Sequence, residues 1–294
     1  MRLITFDRGS GPRTGILLGG QLALDVAAAD PGLDGGWERL LDHLDHVRAL
    51  VARHEPPAPP PKGRPGAPLV ELADVQFLPP VTRPQKIIAV GRNYHDHAAE
   101  QNRAVPEQPM LFSKAPSCLQ GPYGPIMLDS DLDQVDAEGE LALVIGKRGR
   151  RIAREDARDH IAGYMCMNDV SDRAAQFADK QFFRGKSIDT GGPCGPWLVT
   201  PDELPDLATG LRITTRWNGT VMQESNTDLL IFPVDRLVAH ASLHMTLEPG
   251  DIITTGTPGG VGVFRDPPVF LQPGDLIEVE IEGIGQISNP VVRI

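Results

Sequence analysis

The pattern of hydrophobic and polar positions after residue 68 predicts a succession of short strands. Residues 138–145 have the alternating character of a strand, and Asn218-Gly219 lies between two predicted strands as a hairpin turn, because both residues tolerate a positive φ. The predicted strands cover 86–90, 138–145, 161–167, 197–199, 211–217, 221–224, 251–255 and 276–281, and the predicted helices cover 94–102, 154–161, 171–180 and 234–244. This pattern predicts an α+β, β-rich domain in which helices surround a curled sheet or roll.

A smaller module precedes this domain. Residues 3–6 and 14–18 have the character of short strands, and 37–54 has apolar residues at the spacing of an amphipathic helix. Seven prolines crowd the stretch 55–68, and such a run forms neither a regular helix nor a central strand. The sequence therefore predicts a small N-terminal α/β module at 1–55, a proline-rich linker at 56–68 and the main β-rich domain at 69–294.

Composition and charge narrow the class of protein. The 294 residues are 40% hydrophobic and 23% charged, as in ordinary globular proteins, and the net charge of -11 repels phosphate backbones. No apolar run approaches the roughly 20 residues of a membrane helix, and the N-terminus lacks the apolar core of a secretory signal. Three cysteines without a CxxC pair fit a reducing cytosol. We therefore expect a cytoplasmic protein that binds neither nucleic acid nor membrane.

Glu138 and Glu140 form the first chemically informative pair. Residues i and i+2 of a strand point to the same face, and two unit charges about 4 Å apart repel by roughly 4 kcal/mol at an effective dielectric near 20. A proton, a Lys or Arg side chain, or a divalent cation could offset this repulsion. Asp169, which follows an apolar strand, could supply a third oxygen ligand. An all-oxygen site favours Mg²⁺, with Mn²⁺ or Ca²⁺ as alternatives.

The same acidic residues also have an ordinary interpretation. A Glu-x-Glu pair is commonly a solvated strand face, and Asp169 could simply cap a helix. The acidic run upstream, made of Asp129, Asp131, Asp133 and Asp136, is interpreted as a solvated loop. Judged from these acidic residues alone, a solvated strand face and a helix cap are more frequent than a metal site.

Several segments, in their order and spacing, resemble the fumarylacetoacetate hydrolase family. They cover 90–100, 136–147, 163–173, 184–190, 218–219 and 255–262, and the resemblance extends from about Pro84 to the C-terminus. It implies the family's fold, a mixed β-sandwich roll. It also implies a Mg²⁺ or Mn²⁺ ion held by Glu138, Glu140 and Asp169.

The resemblance further implies a substrate class and a set of reactions. The substrate is expected to be a small enolisable 2-oxo or 1,3-diketo carboxylic acid, because a divalent ion can polarise its carbonyl and stabilise an enolate. Our main hypothesis is a Mg²⁺-dependent hydrolase that cleaves a C–C bond in an acylpyruvate, fumarylpyruvate or diketo-sugar acid, as in aromatic catabolism. The alternatives are an isomerase or tautomerase, such as a hydroxyheptadienedioate isomerase, an oxaloacetate decarboxylase, and a non-catalytic binding module. Fold-level analogy alone leads us to expect a homodimer.

Positions that match the family's motifs are assigned roles by the same resemblance. His97 and Glu100 share a helix face, so that Glu100 could orient His97 to take a proton from water. The ammonium of Lys186 could stabilise a developing oxyanion. The residues expected to bind substrate are Arg92, Tyr94, Arg173, Gln176 and Thr257.

These roles compete with ordinary ones. His97 and Glu100 could be an incidental surface pair, Lys186 a surface lysine, and Arg173 part of a salt bridge on a helix surface. The neighbouring His95 and Asp96 are expected to face solvent or to begin the helix.

Overall fold

Strands dominate the part of the chain that the computed structural model describes, which is residues 1–19, 21–54, 68–100 and 105–294. The strands are β1 (Arg2–Asp7), β2 (Pro12–Gly19), β3 (Leu22–Asp25), β4 (Leu69–Glu71), β5 (Gln76–Leu78), β6 (Ile87–Gly91), β7 (Met110–Lys114), β8 (Leu119–Gln120), β9 (Ile126–Leu128), β10 (Val135–Asp136), β11 (Gly139–Ile145), β12 (Ile161–Asn168), β13 (Ser171–Asp172), β14 (Gly192–Val199), β15 (Arg212–Trp217), β16 (Thr220–Asn226), β17 (Ile252–Thr254), β18 (Leu276–Ile281) and β19 (Gly285–Arg293). The α-helices are α1 (Val26–Ala29), α2 (Trp37–Leu41), α3 (Leu44–His54), α4 (His95–Glu100), α5 (Arg173–Ala178) and α6 (Val234–Ser242), and short 3-10 turns connect several elements.

Two large sheets organise these strands. The larger sheet has the order β4-β3-β2-β1-β14-β12-β11-β17-β6-β7, with β5 paired to β1 and β8 paired to β14. The smaller sheet has the order β16-β15-β18-β19-β9. The short strands β10 and β13 pair separately. The central strands β11 and β12 are antiparallel neighbours, and this pairing positions the candidate site described below.

Strand β11 is buried along its whole length because other elements pack on both of its faces. Leu141 and Leu143 join a core cluster with residues of the smaller sheet, such as Val279. Val144 belongs to a second cluster that includes Leu40 of α2 and residues of α3. A strand covered on both faces is expected to be an almost continuous apolar run, which agrees with the Leu-Ala-Leu-Val-Ile sequence of β11.

The structure confirms the predicted α+β, β-rich fold and most of the predicted elements. Asn218 and Gly219 form the two-residue turn between β15 and β16, with φ values of 53° and 77°. The predicted helix at 37–54 is instead two helices, α2 and α3. The predicted helix at 171–180 begins later, because Ser171 and Asp172 pair with β10 and the Asp172 side chain caps α5 through the Ala175 N–H.

Other predictions on the chain's organisation have different outcomes. The segment 154–160 is 3-10 rather than α-helical. Most of the linker predicted at 56–68 and the end of the helix predicted at 94–102 lie outside the described residues. The division into domains stays a prediction, although β1 pairs with β14 and so places the N-terminal strands in the larger sheet. No helix within the described ranges is long and apolar enough to cross a membrane.

We predict that Leu143→Ala destabilises the protein by about 2–5 kcal/mol, the usual loss when a buried leucine is truncated. Leu143 is 0% exposed in the middle of β11, whereas Leu276, at the start of β18, is 38% exposed and serves as the matched control. Chemical denaturation of both variants gives the change in unfolding free energy. Equal losses in the two variants would contradict the central role of β11 in the core.

Candidate metal centre

Pairing between β11 and β12 brings together three carboxylates that are distant in the sequence. Gly139 is opposite Asn168, so Glu138 and Asp169 meet just beyond the paired strands. The Asp169 N–H donates to the Glu138 carbonyl at 2.8 Å, and the Glu138 N–H donates to Oδ1 of Asn168 at 3.0 Å. Ligand oxygens of Glu138, Glu140 and Asp169 lie within 4.8 Å of one another. The side chains are buried, so their mutual repulsion is weakly screened by solvent.

Two lysines compensate part of this negative charge. Nζ of Lys186 lies 2.7 Å from Oε2 of Glu138 and 2.6 Å from Oδ2 of Asp169. Nζ of Lys114 lies 2.7 Å from Oδ1 of Asp169. Both lysines are buried, which excludes the surface interpretation of Lys186. The Lys186 ammonium therefore lies between two of the three carboxylates and compensates part of their charge.

Lys114 was not identified from the sequence. It is fully buried at the end of β7, and besides Asp169 its ammonium contacts the carbonyl oxygens of Lys186 and Gly191. No motif marks this lysine, because its partners are assembled only by the tertiary fold.

Glu138 and Glu140 differ in how their charges are compensated. Burial would raise the pKa of Glu138, but the charges of Lys186 and Arg173 outweigh burial and lower this pKa to about 2. Burial raises the pKa of Glu140 well above its ordinary value, and the negative charges of Asp169 and Glu138 raise it further. Glu140 accepts a hydrogen bond from the Gly256 N–H at 2.9 Å. Among the described residues, no Lys or Arg lies within ion-pair distance of its carboxylate.

Arg173 links the carboxylates to a neighbouring loop. Its Nη1 lies 2.7 Å from Oε1 of Glu138 and donates to Oε1 of Gln176 at 2.9 Å. Its Nε and Nη2 both donate to Oδ2 of Asp136, at 3.0 and 2.6 Å. The guanidinium is buried, so the interpretation of Arg173 as part of a surface salt bridge is wrong.

The interpretation of Asp136 as part of a solvated loop is also wrong. Asp136 is fully buried, because Arg173 and the backbone N–H groups of Ala137, Gly262 and Val263 satisfy its carboxylate. The other acidic residues of that run, Asp129, Asp131 and Asp133, are exposed as expected.

Helix α4 places His97 and Glu100 beside the same site. Nδ1 of His97 lies 3.2 Å from Oε2 of Glu100, and Oε1 of Glu100 accepts a hydrogen bond from the Gly260 N–H at 3.0 Å. His97 is buried, so this is not an incidental surface pair. His95 and Asp96 begin α4, as expected; His95 is exposed, and Asp96 accepts hydrogen bonds from the His97 N–H and the Ser225 hydroxyl.

A cavity of about 460 Å³ opens beside Glu138, and seven other residues proposed from the sequence line it. They are Arg92, His97, Glu100, Arg173, Gln176, Lys186 and Thr257. The hydroxyl of Thr257 donates to the Gly139 carbonyl at 2.9 Å and accepts from Nε2 of Gln223 at 2.7 Å. The fold therefore places Glu138 of the acidic cluster, the His97–Glu100 pair and several cationic groups around one space.

Tyr94 is the exception among the proposed substrate contacts. Its backbone forms a bridge with Leu230, its side chain is fully buried, and it is not among the residues that line the cavity. The substrate contact expected of Tyr94 therefore stays a prediction.

Comparison with known proteins adds independent findings. The family model described as fumarylacetoacetate (FAA) hydrolase C-terminal matches residues 86–292. Over 297 aligned residues the chain is 44% identical to a mitochondrial oxaloacetate tautomerase of Bos taurus. The alignment covers 99% of this chain and 92% of that protein.

Two solved structures are similar in sequence and fold. One is 5-carboxymethyl-2-hydroxymuconate delta-isomerase from Mycobacterium smegmatis, with a TM-score of 0.76, 36% identity, and coverage of 100% of this chain and 99% of that chain. The other is maleylpyruvate hydrolase from Sphingobium sp. SYK-6 in complex with manganese(II) ion and pyruvate, with a TM-score of 0.79, 35% identity, and coverage of 100% and 99%. With the fold, the acidic cluster and these matches in agreement, the chain belongs to the fumarylacetoacetate hydrolase family.

Proposed function

We propose that this protein is a divalent-metal-dependent enzyme that interconverts the keto and enol forms of a 2-oxo acid. The observation that carries the proposal is a set of three converging carboxylates next to a cavity that holds a histidine–carboxylate pair. In the part of the chain that the structure describes, no cationic side chain contacts one of these carboxylates, Glu140. The relative named oxaloacetate tautomerase supports this choice of reaction.

The donor set of the site fits a hard divalent cation. Glu138, Glu140 and Asp169 would hold it, and their oxygen-only chemistry suits Mg²⁺ or Mn²⁺, with Ca²⁺ as an alternative. Burial, and next to it the negative charges of Asp169 and Glu138, raise the pKa of Glu140. When bound, such an ion would polarise the 2-oxo group of the substrate and stabilise negative charge on its oxygen. The relative that contains manganese and pyruvate supports this assignment.

The protein's own side chains would bind the substrate and move the proton. We propose that His97 exchanges a proton with the carbon next to the 2-oxo group, while Glu100 holds the imidazole through Nδ1. Lys186 and Gln176 line the cavity and would bind oxygen atoms of the substrate. Arg173 would position Gln176 and Glu138, since its own donors already contact Asp136, Glu138 and Gln176.

Hydrolysis of a C–C bond in an acylpyruvate-like 1,3-diketo acid is the second candidate. The same His97–Glu100 pair could take a proton from water instead of from carbon, and one relative is named maleylpyruvate hydrolase. Both reactions pass through an enolate, so the same metal ligands would serve either. A cytoplasmic location and a homodimer stay predictions, and the relative from Bos taurus is named mitochondrial.

We predict opposite effects of two ligand substitutions on the metal-free protein. Because the folded-state pKa of Glu140 is raised above 4.5, protonated Glu140 contributes stability that is lost as pH rises through the folded-state pKa. Glu140→Gln should therefore be more stable than the wild type at pH 8, with the difference shrinking toward pH 4.5. Glu138→Gln, which removes the charge that Lys186 and Arg173 contact, should be less stable.

Both substitutions should weaken Mn²⁺ binding by at least about tenfold, because even changes outside the ligand shell commonly cost 10–100-fold. Thermal unfolding in a chelator measures stability, and calorimetric titration with Mn²⁺ measures affinity. Loss of stability at pH 8 in both variants, or unchanged Mn²⁺ affinity, would contradict the proposed site.

For the proton transfer, we predict that His97→Gln lowers kcat for oxaloacetate tautomerisation by about 10²–10⁴-fold, the usual contribution of a general acid–base group. His95→Gln is the matched control, since His95 is exposed on the same helix. The change in enol absorbance gives the rate, and Mn²⁺ affinity should stay unchanged in both variants. A His97→Gln enzyme as fast as the control would exclude His97 as the base.

A further inference from the structure

We infer that Arg265 is a positioning residue for the proton transfer, because it fixes the Gly260 backbone, which in turn holds the Glu100 carboxylate against His97. This inference rests on the proposed function, since it concerns the pair that would exchange the proton. Arg265 is not among the residues that line the cavity, so it would act through Gly260 and not on the substrate. The sequence assigns no role to this arginine.

Each oxygen of the Glu100 carboxylate has its own partner. Oε2 lies 3.2 Å from Nδ1 of His97, and Oε1 accepts a hydrogen bond from the Gly260 N–H at 3.0 Å. Glu100 is the last residue of α4, and a glutamate side chain has several rotamers of similar energy. The bond from Gly260 selects the rotamer in which the carboxylate meets the imidazole. The position of the Gly260 N–H therefore decides how His97 is held.

Gly260 in turn lies directly against strand β16. Its φ is 103°, and a Cβ atom at this position would lie only 2.1 Å from the carbonyl oxygen of Met222. Glycine allows this close approach of two backbones, which any side chain would prevent. The loop that carries Gly260 is therefore in contact with β16 at this point.

The guanidinium of Arg265 ties these two backbones together. Its Nη2 donates to the carbonyl oxygens of Met222 and Gly260, at 2.6 and 3.1 Å, and its Nε donates to that of Gly260 at 3.2 Å. Because both oxygens contact the same nitrogen, they lie close together, and the cation offsets their repulsion. Within the described residues, no carboxylate lies within 4.0 Å of this guanidinium. Its donors therefore serve the two backbone oxygens.

Other residues hold the same loop on either side of Gly260. Nε2 of Gln223 donates to the Pro258 carbonyl at 2.8 Å, and the Asp136 carboxylate accepts from the Gly262 N–H at 2.9 Å. These anchors precede and follow Gly260 in the chain. Removal of the guanidinium should therefore release the Gly260 backbone locally and leave the rest of the loop in place.

The first test measures oxaloacetate tautomerisation by the Mn²⁺-loaded Arg265→Met variant. Its kcat should fall by about tenfold to a hundredfold, because a catalytic group misplaced by about 1 Å can cost 10²-fold. KM and Mn²⁺ affinity should stay unchanged. Arg293→Met is the matched control, since Nη1 of Arg293 also donates to two backbone carbonyls, those of Asp129 and Ser130, but outside the cavity. It should leave kcat unchanged.

A double-mutant cycle separates action through Glu100 from a general structural role. In the Glu100→Ala background, Arg265→Met should lower kcat by less than about twofold, because no carboxylate remains for Gly260 to hold. Equal losses in the two backgrounds, or no loss in the wild-type background, would overturn the inference.

A conservative variant keeps the test decisive if Arg265→Met does not fold. Arg265→Lys retains the positive charge but loses the fork of donors that reaches both carbonyls. The same cycle with this variant should show a loss of kcat that depends on Glu100. A loss that is the same with and without Glu100, or no loss at all, would overturn the inference.

A crystal structure of the Arg265→Met variant tests the positioning without any assay. The distance from the Gly260 nitrogen to Oε1 of Glu100 should exceed about 3.5 Å, the limit of a hydrogen bond. A distance still at 3.0 Å would overturn the inference whatever reaction the enzyme catalyses. A wild type that does not tautomerise oxaloacetate would instead overturn the proposed function, and this structure would still test how Glu100 is held.

Discussion

The structure depends on the burial of four carboxylates in the neighbourhood of three cationic side chains. Asp136, Glu138, Glu140 and Asp169 are all buried, and a buried carboxylate is costly unless a partner compensates its charge. Lys114, Arg173 and Lys186 provide three positive charges, which is one fewer than the acids require. A divalent cation at Glu140 would change this deficit into an excess of one positive charge.

Antiparallel pairing of β11 and β12 makes this arrangement possible. The backbone bond between Asp169 and Glu138 fixes the two carboxylates at the ends of strands whose apolar residues form the core on both faces. Rigid, fully buried strands hold ligands more accurately than loops, and the loop with Gly256 and Gly262 contributes mainly backbone N–H groups. The helix with His97 and Glu100 then adds the groups that can exchange a proton.

Much of the fold and part of the site follow from the sequence alone. Alternation predicts most strands, and the i, i+2 spacing of Glu138 and Glu140 predicts a shared face, because both signals are local. The role of Lys114 and the burial of Asp136 were not predicted, because their partners are distant in the sequence and no local pattern marks them. The substrate contact expected of Tyr94 stays a prediction, since a motif position does not reveal which way a ring points. Resemblance to a family predicts a metal site at the acidic cluster but does not choose between tautomerisation and hydrolysis.

The most direct test of the central claim is an anomalous-diffraction map of crystals grown with Mn²⁺. The account predicts one strong peak with oxygen atoms of Glu138, Glu140 and Asp169 at about 2.1 Å, and with the Lys186 ammonium displaced from the position between Glu138 and Asp169. A map without a peak among these three carboxylates at saturating Mn²⁺, with Lys186 still in contact with both acids, would contradict it.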